Sequence, residues 1–305
     1  MNEIKTIRSV KSNSPFRYAG GKFYARKLIL QHIPKTDLYC EPFAGGASIF
    51  FAKESSKMSI LNDLDEELIN TFIQIRDNLE GLLTLLKGIP ATKEHHAYYK
   101  NEYKPKNDLE RAFRWFYLNR TSYSGIMKKE NCYFGYGEKY SMRPENWPRH
   151  LHTVCNRLQG VELTCMDFEE VIDTLPDNSF LFVDPPYYNA DQKKFYSCSF
   201  EGKDHIRLKE CLLRHSHRLL FLITYDNSQG IRDLYDWCDV LEEHEWQYTI
   251  NRTDDQKNGK NLSQGYSSPR RKGREVFIKN YDIAKVAICN PVSLSPSYPT
   301  ECTLL

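Results

Sequence analysis

Four consecutive residues carry the most specific chemistry in this 305-residue chain: Asp184-Pro185-Pro186-Tyr187. A carboxylate is followed by two carbonyls on stiff proline backbone, and then by an aromatic ring. Carboxylate and carbonyl oxygens are acceptors, and neither proline has an N–H of its own. Such a set suits a planar group bearing an –NH2: the oxygens take the amino hydrogens while the ring stacks on the plane. The bland alternative is a strand ending in a Pro-Pro turn with an aspartate cap. The rest of the chain has to decide between them.

The motif follows Ser179-Phe180-Leu181-Phe182-Val183, an apolar run without alternation. That is the pattern of a strand buried on both faces, as in a parallel sheet. Prolines cannot continue the ladder, so Asp184 is expected at the strand's carboxyl end, where open α/β sheets bind ligands. Other strand-like runs end in similar residues. Leu38-Tyr39-Cys40-Glu41 runs into Pro42-Phe43-Ala44-Gly45-Gly46-Ala47-Ser48, a glycine-rich turn before a helix. Met58-Ser59-Ile60-Leu61 ends in Asn62-Asp63, about 20 residues on, where nucleotide-binding α/β units place an acid for ribose hydroxyls. Val161–Cys165 ends in Met166-Asp167-Phe168. The convergence of Glu41, Asp63, Asp167 and Asp184 on strand ends says more than any single motif.

Upstream lies Phe16-Arg17-Tyr18-Ala19-Gly20-Gly21-Lys22. Its glycines let the backbone pass close to a neighbour, and Lys22 puts a positive charge beside it. The spacing is not that of a phosphate-binding P-loop.

The elements that must hold these residues alternate. Helices are expected over 24–32, 64–75, 109–119, 204–213 and 231–237, with strands at 38–41, 58–61, 161–165, 179–183, 218–224, 246–250 and 275–279. This is the order of an α/β domain. It is interrupted over 81–148 by a mainly helical insertion rich in Tyr, Lys, Arg and Asn. After the 109–119 helix, Asn119–Lys129 and Tyr133–Tyr140 interleave basic side chains with aromatics and glycines. That mixture suits nucleic acid, cations for phosphates and rings for bases; ordinary solvated surface is the alternative. Residues 1–14 and 287–305 are expected to be flexible ends, and 251–274 a basic loop.

Composition narrows the class. A formal charge of +2 excludes a general nucleic-acid coat, so any basic surface is local. The nine cysteines form no Cys-x-x-Cys pair and several lie in apolar runs, which points to reduced thiols in a cytoplasm-like compartment. No zinc-site spacing is present; His95, His96, His215 and His217 read as surface or helix residues. No apolar stretch is long enough to span a membrane, and no signal peptide is expected.

Taken in order, Arg17–Lys22, Tyr39–Ser48, Leu61-Asn62-Asp63, Tyr117–Ile126, Asp167-Phe168, Asp184–Tyr187 and Arg274-Glu275-Val276 resemble the Dam-type (D12 class) DNA adenine-N6 methyltransferases. The resemblance implies a Rossmann-like methyltransferase sheet with helices on both faces. Residues 15–80 and 149–286 would form the catalytic domain that binds S-adenosylmethionine, and 81–148 the target-recognition insertion. It implies cofactor binding by Tyr18, Gly20, Gly21, Lys22, Glu41, Phe43, Gly45, Asp63, Asp167, Phe168 and Asp184. It implies catalysis by Asp184, Pro185, Pro186 and Tyr187 on a flipped adenine of double-stranded DNA. Asn119, Arg120, Tyr123, Ser124, Lys128, Tyr136 and Lys139 would contact the DNA. No metal is implied, and a prokaryotic or phage origin is expected. The chain departs from the family pattern at three places, of which the last two bear on specificity. Tyr18 stands where Trp is usual, Lys128 where Arg is frequent, and Gly135-Tyr136-Gly137 where Pro-Phe-Gly is frequent. Lysine reads guanine less discriminately than arginine, so GATC is a candidate site only. The rivals are a cytosine-N4 methyltransferase, which more often opens the motif with Ser or Asn, an RNA methyltransferase, and a non-catalytic DNA-binding protein that holds the cofactor.

Overall fold

A computed structural model of the chain describes residues 11–18, 20–137, 141–188, 200–238, 240–247 and 272–283. Lys139, residues 189–199, the basic stretch 251–271, the first ten residues of the expected flexible N-terminus and the whole expected tail 287–305 fall outside those residues. The strands in chain order are β1 (Leu38–Glu41), β2 (Met58–Asn62), β3 (Val161–Thr164), β4 (Phe180–Val183), β5 (Leu220–Asp226), β6 (Val240–Gln247) and β7 (Lys272–Lys279). They form one seven-stranded sheet in the order β3-β2-β1-β4-β5-β7-β6. β1 pairs parallel with both β2 and β4, β4 pairs parallel with β5, and β7 runs antiparallel between β5 and β6. The order reverses between β1 and β4, so the carboxyl ends of the parallel strands meet a switch point on one edge.

Both faces of the sheet are covered. Tyr39, Leu61, Phe180, Phe182, Leu222 and Phe277 enter one core with Phe50, Phe51 and Phe72. Their neighbours Cys40, Ile60, Leu181, Val183, Phe221 and Ile223 enter a second core with Ile172, Leu208 and Leu212. Side chains alternate across a strand, so a strand with cores on both sides must be apolar throughout. That is why 179–183 shows no alternation. β6 begins at Val240, before the expected 246. It is the edge strand, and its polar Glu242, Glu243 and His244 hid it among loop-like residues.

The helices are α1 (Arg26–Gln31), α2 (Ser48–Ala52), α3 (Glu66–Asp77), α4 (Leu79–Leu86), α5 (Lys93–Asn101), α6 (Asp108–Thr121), α7 (Trp147–Leu158), α8 (Phe168–Thr174), α9 (Gly202–His215) and α10 (Gln229–Leu234). Asp65 caps α3 by accepting from the N–H groups of Glu67 and Leu68, and Asn107 caps α6 at Glu110. α6 carries Phe113, Trp115, Phe116 and Tyr117 into the same core as Phe50 and Phe72. Residues 81–148 therefore add a layer to one face of the sheet and share its core. Phe16 locks the N-terminal segment into that layer, with ring centroids 4.6 Å from Phe72 and 4.7 Å from Trp115. Burying such a ring contributes roughly 1.5–3 kcal/mol, which fixes where Tyr18 and Lys22 must lie. No helix among the described residues is long and apolar enough to cross a membrane.

Candidate active site

The glycine-rich turn after β1 is stitched to the end of β2. The Gly45 N–H donates to Asp63 Oδ2 at 2.8 Å, and the Ala44 N–H to the Asn62 carbonyl at 2.8 Å. The buried Asn62 amide donates to the carbonyls of Pro42 (3.0 Å) and Met166 (2.9 Å) and accepts from Thr164 Oγ1 and the Met166 N–H. One side chain thus ties together the turns that follow β1, β2 and β3. Gly45 has φ +46°, and a Cβ there would stand 2.7 Å from Cε1 of Tyr18. The Tyr18 ring lies against the turn because glycine leaves the space. Asp63 is pushed up to about 6 by burial, against the hydrogen bonds from the Asp65 and Gly45 N–H groups.

Glu41, expected at the cofactor, lies inside the core. It is 1% exposed. Its Oε1 accepts from the Tyr39 hydroxyl at 2.6 Å and the Phe50 N–H at 2.7 Å. Glu41 braces α2 against β1 from inside the core, and burial raises its carboxyl to about 8.

Asp184 emerges from β4 on the side of Phe182, facing the N-terminal segment. Lys22 Nζ donates to both of its oxygens, at 2.6 and 2.8 Å, and Thr224 Oγ1 from β5 donates to Oδ1 at 2.7 Å. Lys22 is 3% exposed and also donates to the Gly20 carbonyl at 3.1 Å. Gly20 has φ +78°, a backbone that favours glycine. The Tyr187 ring lies with its centroid 4.9 Å from the Lys22 ammonium. The Tyr188 N–H donates to Asp226 Oδ1 at 3.0 Å, which pins the end of the Pro-Pro turn to β5. Thr224 went unread in the sequence: a threonine in an apolar strand looks like an ordinary strand residue.

At the other end of the edge, Asp167 caps α8 by accepting from the Glu169 N–H, and the same oxygen accepts from Arg207 at 2.9 Å. Phe168 is buried and backs the partly exposed Phe43, with centroids 5.4 Å apart. Phe43 is the ring with a face to offer. Carboxylates, aromatic rings and a bare glycine backbone thus line one continuous sheet edge from Asp167 through Asp63 and Gly45 to Asp184.

A profile of the D12 class N6 adenine-specific DNA methyltransferases matches residues 18–250. The chain belongs to this family. The methyltransferase is 28% identical over 291 residues to the type II methyltransferase M1.LlaDCHI of Lactococcus lactis subsp. cremoris, covering 88% of this chain and 95% of that one. It is 27% identical over 242 residues to the DNA adenine methylase of Salmonella typhi, covering 74% of this chain and 85% of that one. It is 29% identical over 236 residues to the DNA N-6-adenine-methyltransferase of Escherichia phage P1, covering 73% of this chain but 31% of the phage protein. Against the phage protein, the match spans about a third of the relative's length.

On the insertion side of the methyltransferase, two residues expected to contact DNA lie buried in the join to the N-terminal segment. Asn119 is fully buried. It accepts from the Arg17 N–H at 2.9 Å and donates to the Arg17 carbonyl at 2.8 Å and the Gly125 carbonyl at 3.3 Å. Arg120 is 7% exposed, reaches only the Pro15 carbonyl, at 3.4 Å, among the described residues, and is lowered to about 10 by burial and the Arg17 charge. Both hold the insertion to the N-terminal segment from within. Arg17 Nη1 returns the contact to the Ser122 carbonyl at 3.0 Å. Gly125, at φ +71°, is in near contact with the same segment: a Cβ there would stand 2.1 Å from the Arg17 carbonyl oxygen. Tyr123 is exposed, and Ser124, Lys128 and Tyr136 are partly exposed on the same loops.

Proposed function

We propose that the chain moves a methyl group from S-adenosylmethionine to the N6 amino group of an adenine turned out of duplex DNA, with GATC as the candidate site. The observation that supports this most is the Asp184 carboxylate at the end of β4, braced by Lys22 and Thr224, on the same edge as the Gly45–Asp63 turn. The residues present suit the donor. Asp63 offers a carboxylate to a ribose diol, while Phe43 backed by Phe168, with Asp167 beside it, borders a purine. Tyr18, Gly20, Gly21 and Lys22 line the methionine end. When bound, S-adenosylmethionine supplies the electrophilic methyl group that the amino nitrogen takes up.

The protein's own part is positioning and electrostatics. The amino lone pair of adenine is delocalised into the ring, which makes it a poor nucleophile. Asp184 and the Pro185 carbonyl accept the two amino hydrogens and draw the nitrogen toward a tetrahedral shape. Pro186 keeps the turn stiff, and Tyr187 stacks on the ring. Turning the base out costs a few kcal/mol, which the stacking and the two acceptors offset. After transfer the nitrogen's proton is strongly acidic and passes to the Asp184 carboxylate. Tyr123, Ser124, Lys128 and Tyr136 form the surface offered to DNA.

Labelled methyl transfer from S-adenosylmethionine to duplex DNA, followed by mass spectrometry of the digested nucleosides, tests the reading. N6-methyladenine is expected. N4-methylcytosine as the product would replace it with the cytosine reading, and methylation-sensitive sequencing of the product DNA decides for or against GATC.

A further inference from the structure

Glu275 lies in β7 beside this site, within electrostatic reach of Lys22 and Asp184, and no step above uses it. It is fully buried, and neither carboxylate oxygen has a hydrogen-bond partner among the described residues. A buried carboxyl left without donors is costly, so it is rarely retained without a use. Its place in the sheet is set by register. β7 pairs Phe277 with Thr224 and Glu275 with Asp226, so Glu275 shares a face with the threonine that holds Asp184. Across the other edge of β7 it faces His244. Lys22 is the strongest attraction acting on its carboxyl, Tyr187 adds to it without hydrogen-bond geometry, and Asp184 and Asp226 oppose.

We propose that Glu275 is a positioning residue for methyl transfer: it is the second seat of the Lys22 ammonium, taken up when the cationic donor arrives beside Asp184, which leaves Asp184 free for the adenine amino group. In the present arrangement Lys22 covers both oxygens of Asp184 and Thr224 adds a third bond. An amino group arriving there competes with a full charge. A sulfonium arriving beside Asp184 also meets the lysine's like charge. Glu275 resolves both conflicts. The four-carbon stem of lysine lets its ammonium swing while its backbone stays in place. The carboxyl is held up to about 8 by burial, with Lys22 pulling it down and Asp184 pushing it up. Near neutral pH it is therefore mostly a neutral acid while Lys22 is bonded to Asp184. When Lys22 moves onto it, the acid gives one proton to solvent and becomes the lysine's counter-ion. Asp184 keeps its Thr224 bond and is free to accept from the substrate.

The inference rests on the cofactor reading above, and the test separates the two. Calorimetric titration of the full-length enzyme without DNA, in two buffers of different ionisation enthalpy, counts protons released per ligand bound. Cationic S-adenosylmethionine is compared with neutral S-adenosylhomocysteine at pH 7. The wild type should release more protons with the cationic ligand, by a fraction approaching one, and Glu275→Gln should bind both ligands and lose the difference. In turnover, Glu275→Gln should lower kcat about tenfold with KM nearly unchanged, and Glu275→Asp should recover part of kcat. Equal proton counts for the two ligands in the wild type, or a difference that survives in Glu275→Gln, overturn the second seat and leave the cofactor reading standing. Failure of either ligand to bind overturns both.

Discussion

Asp184 and its two donors come from distant parts of the chain, so their substitutions should leave different traces. Asp184→Ala removes the acceptor itself; turnover should fall by about a thousandfold or more, with DNA binding retained in a gel-shift assay. Near-normal turnover in that variant would refute the mechanism. Thr224→Val removes one hydrogen bond to a charged carboxylate, worth about 1.5–3 kcal/mol; kcat should fall by roughly ten- to a hundredfold while the melting temperature stays close to wild type. Tyr187→Ala should weaken binding of DNA that carries an unpaired target adenine by about ten- to a hundredfold, and leave cofactor affinity nearly unchanged. The role of Asp184 was legible in the sequence because acid, two prolines and an aromatic in a row is a scarce arrangement of acceptors. The part played by Thr224 and Glu275 was not. Thr224 reads as a plain strand residue, and Glu275 carries the family resemblance with Arg274 and Val276 but no stated role, until the β5–β7 register sets Thr224 opposite Phe277 and Glu275 opposite Asp226.

At the level of elements, the join between the N-terminal segment and the end of α6 controls how the insertion meets DNA. Asn119 closes that join by bonding both backbone groups of Arg17, across a separation of 102 residues. Asn119→Ala leaves those groups unpaired, at about 1–3 kcal/mol each. The melting temperature should drop, and affinity should weaken alike for every DNA sequence. A change of preference at one base with an unaltered melting temperature would instead mean direct reading by Asn119. The sequence made Asn119 and Arg120 look like surface contacts because they sit at a helix end among basic and aromatic residues. Whether they face inward depends on a segment a hundred residues away, which local patterning cannot report. The parallel strands were legible for the opposite reason: burial on both faces writes itself into consecutive residues such as Phe180–Val183. Edge strand β6 has one pairing partner and polar residues, so its start was hidden.

For the whole molecule, buried carboxyls shape the response to pH. Glu275 is raised from 4.5 to about 8, chiefly by burial. The folded state keeps that proton up to about pH 8, whereas the unfolded chain loses it near 4.5. Between those values the unfolded state binds fewer protons, so stability falls as pH rises and levels off above 8. Glu41, raised to about 8 in the same way, adds to the slope. Glu275→Gln should remove its share: near wild-type stability at pH 5, and a gain on the order of a few kcal/mol at pH 8 by denaturant titration. An equal effect at both pH values would contradict the buried proton. The packing of α6 into the core of the sheet has a bearing on engineering. Phe113, Phe116 and Trp147 fill the same interior as Phe50 and Phe72, so a graft of 81–148 from a relative would import half of an interface. A chimaera meant to change the recognised DNA word would have to bring along Phe16, Arg17 and the matching face of α3, or swap only the exposed loop tips around Tyr123 and Tyr136.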